Sequence, residues 1–243
     1  MIKNTLKRAL VGLTLVIGGV GVAAAALPGP QQAYLPGLNG YTQIAPHIYT
    51  DEPAQSEVLI STLAQAQARV RAFYQEDLPP VRMLLCTTPR CKARSLGAGP
   101  VKGRTYNSTL VIVGPKGLNP MILSHELSHV VLHGKEGPMG LWWGVFPAWF
   151  DEGLASLVSQ DDRLDAGDVA ARARMLETRR FSDWGAAVQA LGWRGAYGAA
   201  MALVEEMVAV DGVEGLRALI DRVSAGADFD AERAALLAQV EPG

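Results

Sequence analysis

Apolar and polar positions alternate along this chain with two different periods, and the change of period divides it. Between Pro53 and Gln75, Val58, Leu59, Leu63, Ala66, Val70 and Phe73 recur at helical spacing. Pro79-Pro80 ends that pattern. Val81–Cys86 (VRMLLC) and Tyr106–Val113, with TLVIV at its centre, are short apolar runs that read as strands. Helical spacing returns in Asn119–His133 (NPMILSHELSHVVLH). At about 100° per residue, Leu123, Leu127, Val130 and Val131 gather on one side of that helix and form its buried back. Asn119 can cap it and Pro120 suits its first position. Pro147 opens a further helix to Gln160, and more are expected near Asp168–Glu177, Gly195–Val210, Val213–Ala225 and Asp228–Gln239, punctuated by Gly185, Gly192, Gly195 and Gly212. Residues 31–51, rich in Pro, Gly and Tyr, read as an extended lead-in, and Arg94–Gly103 as loop or irregular strand. Mixed elements before the Asn119 helix and helices alone after it predict an α+β fold.

The first 26 residues stand apart. Lys3, Lys7 and Arg8 precede an apolar run from Ala9 to Ala26, which ends in small residues and is followed by Pro28 and Pro30. This is the pattern of a cleaved secretion signal. The rival reading is an uncleaved membrane anchor, since ~20 apolar residues span a bilayer. Either way the rest of the chain is expected outside the cytoplasm, periplasmic, secreted or anchored by residues 9–26. The domains expected are then the leader (1–26), the lead-in (27–50) and one folded domain (51–243).

With 243 residues, 49% of them hydrophobic, the chain can bury a substantial core. Its net charge is −2, and losing the leader takes 22 basic side chains to 19 against 24 acidic ones, a balance of −5. No basic stripe suggests nucleic acid as a partner. In an exported protein the pair Cys86 and Cys91 suggests a local disulfide fixing a turn, with a metal or redox pair as the alternative.

The chemistry-bearing stretch is His125-Glu126-Leu127-Ser128-His129, an HExxH pattern. Residues four apart on a helix lie one turn above each other, so two imidazoles can meet one metal ion while Glu126 lies beside them. A catalytic zinc ordinarily takes three protein ligands. A third His six residues after the second is one arrangement, but Lys135 holds that position. A Glu from a downstream helix is the other, and Glu152 supplies it, 23 residues after His129 in Trp149-Phe150-Asp151-Glu152-Gly153-Leu154-Ala155. His133 continues the stripe, but lies ~6 Å further along the helix axis, beyond reach of the same ion. It is expected to be a polar neighbour. Asp151 is expected to play a structural or supporting role, and His47, in the lead-in, a structural one.

HELSH followed by PAWFDEGLAS resembles the two signatures of the gluzincin metallopeptidases (HExxH…E), in particular the bacterial peptidase MA-like group. The match is strong over residues 119–160. The resemblance implies a zincin-like domain in which a small mixed α/β half and a helical half flank a Zn²⁺ site. It implies an endopeptidase acting on peptide or protein substrates, with Glu126 as general base on a metal-activated water. The Gly-x-Met-x-Asn signature of aminopeptidases is missing, and Ser156 stands where thermolysin-like members carry an Asp that supports the first His. Related members draw an oxyanion donor from the helical half. Gly195-Ala196-Tyr197-Gly198-Ala199-Ala200 resembles that segment and makes Tyr197 the candidate, with Arg194 as substitute and a core role for Tyr197 as the plain alternative.

Two further expectations concern the surroundings. The strand that leads into the HExxH helix can present an open edge to an extended peptide. Gly134–Phe146, with Trp142-Trp143, can rim the cleft, touch a membrane surface or pack on the core. The reading opposed to catalysis is a zinc-retaining binding or scaffold module of the same fold, against which the intact Glu126 speaks.

Overall fold

The computed structural model describes residues 29–137 and 144–239. The leader and the Trp142-Trp143 pair lie outside the described residues. The chain forms two compact units. The first holds residues 29–60 with Arg82–Arg104 and Ile112–Leu118; the second holds Ser61–Val81, Thr105–Val111 and the chain from Asn119 on.

In chain order the elements are α1 (Gln31–Tyr34), β1 (Thr42–Ala45), β2 (Ile48–Thr50), α2 (Ser56–Tyr74), β3 (Arg82–Leu85), α3 (Pro89–Ser95), β4 (Gly103–Tyr106), β5 (Leu110–Val113), α4 (Pro120–Glu136), α5 (Ala148–Ser159), α6 (Val169–Leu176), α7 (Phe181–Ser224) and α8 (Phe229–Leu237). Mixed α/β structure with a single five-stranded sheet among the described residues matches the expected class. No described helix is long and apolar enough to cross a membrane.

The sheet order is β1-β2-β3-β5-β4. β1 and β2 are antiparallel, with Thr42 opposite Thr50, and β2 runs parallel to β3, with Thr50 opposite Leu85. The stretch read as an extended lead-in therefore contains paired strands. Residues 42–50 make a hairpin that turns through His47 (φ 64), whose carbonyl accepts from Met83 N at 2.9 Å. Strands this short carry too little alternation to be seen without their partners.

Two other expectations are corrected. The run Tyr106–Val113 is not one strand: Asn107, at φ 52, turns the chain between β4 and β5. And β5, the strand that leads into α4, is paired on both sides, by β3 and β4, so it offers no open edge. The strand that closes it, β4, takes Gly103 from the stretch read as irregular and Tyr106 from the run read as strand, and is itself the edge strand.

Cys86 and Cys91 form the expected disulfide, Cα–Cα 5.3 Å, joining the end of β3 to the first turn of α3. The Thr88 side chain caps that helix by accepting from Cys91 N at 3.2 Å. Asp51 fastens the same segment, accepting from the backbone N–H and hydroxyl of both Thr87 and Thr88.

In the second unit the helices meet expectation closely, because their signals are local. Asn119 Oδ1 accepts from Ile122 N at 3.1 Å, and Leu123, Leu127, Val130 and Val131 are all buried. Asp168 and Asp228 cap α6 and α8 in the same way. α7 is helical segments joined end to end, interrupted at Gly192 (φ 71) and at Asp211-Gly212 (φ 68 at Gly212). Its first part, from Phe181 to the Gly192 break, was not anticipated. Phe146, Trp149, Phe150 and Phe229 form one aromatic cluster, with the Phe150 and Phe229 rings 4.9 Å apart.

Candidate metal centre

Every side chain of the candidate centre belongs to the second unit. α4 and α5 bring together the three expected ligands. His125 Nε2 and His129 Nε2 are 3.1 Å apart. Glu152 Oε2 is 3.3 Å from the first and 3.6 Å from the second. An ion about 2.0–2.2 Å from each of three tetrahedrally placed ligands sets those ligands about 3.3–3.6 Å apart. Two sides of the triangle fall in that range, and the third, 3.1 Å, is slightly shorter.

The donor chemistry points the same way. His129 Nδ1 lies 2.7 Å from Asp151 Oδ1. A neutral His129 therefore keeps its proton on Nδ1 and turns the bare Nε2 lone pair towards the other two ligands. Glu152 Oε2 is buried and makes no hydrogen bond of normal geometry. Three atoms able to ligate a metal ion thus converge within 3.6 Å of one another. The residues present fit a divalent metal ion.

The electrostatics follow from burial and contact. Burial alone would raise the Glu152 carboxyl, but the imidazoles of His125 and His129 outweigh it and hold the group down at about 2. Burial would likewise raise Asp151, yet His129 and His133 hold it well below the usual carboxylate range. Burial would lower His129; the Asp151 charge and hydrogen bond, with Glu152, instead raise it well above 6.5.

Glu126, 6% exposed, lies on the same helix with its carboxylate held from the side. Thr105 Oγ1 of β4 is 2.8 Å from Glu126 Oε2 and 2.9 Å from the Glu126 carbonyl oxygen, either of which can accept its single proton. Sequence reading missed Thr105, since nothing local marked residues 103–105 as a strand.

Tyr197 lies beside His125. Its ring is 5.9 Å from that of His125 and 4.9 Å, edge-on, from Trp184. Its phenol is held protonated far above its ordinary pKa, first by the Glu152 charge, then by burial and the charge of Glu126. Arg194, the alternative donor, is exposed and stacks its guanidinium over Trp193, 5.4 Å from the ring centroid.

Two glycines explain how these elements come so close. A Cβ on Gly153, next to Glu152, would collide with the carbonyl of Ala200 on α7. A Cβ on Gly198, next to Tyr197, would collide with the backbone of Asp165. Gly153 lets α5 rest against α7, and Gly198 lets the 161–168 loop lie against the helix that bears Tyr197.

The remaining candidates also find places. Lys135, at the position excluded as a ligand, pairs with Glu76 and Asp221 at 3.1 Å each. Ser156 Oγ donates to the Glu152 carbonyl at 2.8 Å within its own helix. His133, expected as a neighbour only, contacts Asp151 Oδ2 at 2.8 Å. Comparison of the chain with protein-family models, curated proteins and solved structures found no match. The functional reading therefore rests on the residues themselves.

Proposed function

We propose that this chain is a zinc-dependent peptidase of the gluzincin type, with a zincin-like fold, that hydrolyses internal peptide bonds outside the cytoplasm. The observation that carries the proposal is the His125–His129–Glu152 triangle, with Glu126 held beside it. In this reading the three side chains hold the ion, and zinc, when bound, supplies a Lewis acid that activates water and polarises a carbonyl. Glu126 accepts a proton from the attacking water and returns it to the leaving nitrogen. Thr105 limits the carboxylate's rotation and so its approach to that proton. The Tyr197 phenol donates to the carbonyl oxygen as negative charge develops there.

The test combines metal content with substrate profiling. Purified protein should carry one zinc per chain, and a peptide library should be cleaved in a chelator-sensitive way. Glu126→Gln should keep the zinc and lose on the order of 10²–10⁴ in rate. Zinc bound without cleavage of any peptide would assign the chain to the scaffold reading instead, and protein that takes up no zinc would end both.

A further inference from the structure

The polar contacts behind His129 do not stop at Asp151. The Asp151 carboxylate is shared: Oδ1 faces His129 Nδ1 at 2.7 Å and Oδ2 faces His133 Nε2 at 2.8 Å. The other nitrogen of His133, Nδ1, lies 3.3 Å from the carbonyl oxygen of Asn107. A carboxylate oxygen accepts, so at the 2.8 Å contact His133 donates from Nε2 to Asp151. The two rings stack, 5.5 Å between centroids and 25° between planes. His129, His133 and Asp151 are each buried, at 6%, 7% and 2% exposure. Asn107 is the left-handed residue of the turn between β4 and β5.

A carboxylate held at one oxygen can still rotate about its last torsion, which is broad for Asp. Held at both oxygens, it cannot. A metal-bound imidazole depends on the group behind it for its tautomer and ring orientation.

We propose that His133 is a positioning residue of the metal centre: it fixes the Asp151 carboxylate from the side away from His129, anchors it to the Asn107 turn, and so presents His129 Nε2 to the ion. The proposal rests on the metal-centre reading above. It accounts for a histidine one turn beyond the metal ligands that does not itself reach the ion. It also gives the β4 hairpin two attachments to α4, Thr105 at Glu126 and Asn107 at His133.

The experiment is zinc affinity by competition with a chromogenic chelator, on the full chain. His133→Phe keeps a flat ring in the stack but has no donor; it should weaken zinc binding on the order of 10–100-fold. His133→Gln keeps an amide N–H for Asp151 and should recover part of that loss. A folded His133→Phe that binds zinc as the wild type does overturns the proposal. Where His133→Phe does not fold, nitrogen-15 NMR of the zinc-loaded wild type reads the same arrangement. A proton is expected on His133 Nε2, facing Asp151, and on Nδ1 of His129, and a His133 Nε2 without a proton overturns the proposal. Wild-type protein that binds no zinc overturns the metal-centre reading along with it. Wild type that binds zinc, with unchanged affinity in His133→Phe, overturns this proposal alone.

Discussion

The pair α4 and α5 and the segment of α7 after Gly192, which bears Tyr197, both contribute to the candidate centre, and they are built by different means. On the ligand side, polar side chains meet at 2.7–3.6 Å, and His129 is held from behind by Asp151. On the Tyr197 side, placement comes from steric fit: a helix begun anew after Gly192, a glycine that admits the Asp165 backbone, and aromatic edges against Trp184 and His125. The ligand side is specified by charge and tautomer. The Tyr197 side is specified by shape. A change to one should leave a different trace from a change to the other.

The largest separation is expected from Tyr197→Phe. Loss of one donor to a developing oxyanion costs on the order of 10²–10³ in turnover. The ring stays, so zinc affinity should not move. A variant with wild-type kcat would return Tyr197 to a packing role and remove half of the comparison.

The two glycines sharpen it next. Gly153→Ala pushes α5 from α7 and takes Glu152 with it, so zinc affinity should fall along with stability. Gly198→Ala displaces the 161–168 loop and Tyr197, so turnover should fall with zinc affinity retained. Overpacking of this kind costs about 1–3 kcal/mol, read as a lower Tm for both variants. Equal effects of the two substitutions on zinc affinity would show that the two sides are not independent.

The smallest effect is in the pH dependence of the metal-free protein. Asp151 and Glu152 are held below their unfolded values of 3.8 and 4.5. Their contribution to stability is present above those values and lost as pH falls through the folded ones. His129 and His133 are held above 6.5, so theirs is complete below 6.5 and lost as pH rises through the raised values. Chelated protein should melt highest between about pH 4.5 and 6.5. The increment in Tm from added zinc should grow with pH, because zinc and protons compete for the same imidazoles. Calorimetry with and without chelator checks both, and an increment that grows towards acid would contradict the assigned charges.

Much of the ligand side is legible in the sequence because it is local. Helical spacing puts His125 above His129, Asn119-Pro120 starts the helix, and Asp151-Glu152-Gly153 lies on the next one. Local pattern also misleads. Val58 fits the apolar period of α2 but is 66% exposed, because periodicity says which residues share a face and not where the neighbouring element ends. The β4 strand was out of reach for a related reason. Its four residues, Gly-Arg-Thr-Tyr, have no run of apolar positions, and only pairing with β5 makes them a strand.

The sequence by itself determined which residue types can hold a cation and where along two helices they stand, since a turn of helix converts spacing into direction with no help from the rest of the chain. The tertiary structure alone decided that Glu152 Oε2 falls within 3.6 Å of both imidazoles, that Asp151 is divided between His129 and His133, and that Thr105 reaches Glu126. Those contacts join residues 18 to 27 positions apart. They depend on how closely α5 can approach its neighbours and on a turn at Asn107, which are matters of packing volume and backbone conformation that no one-dimensional pattern records.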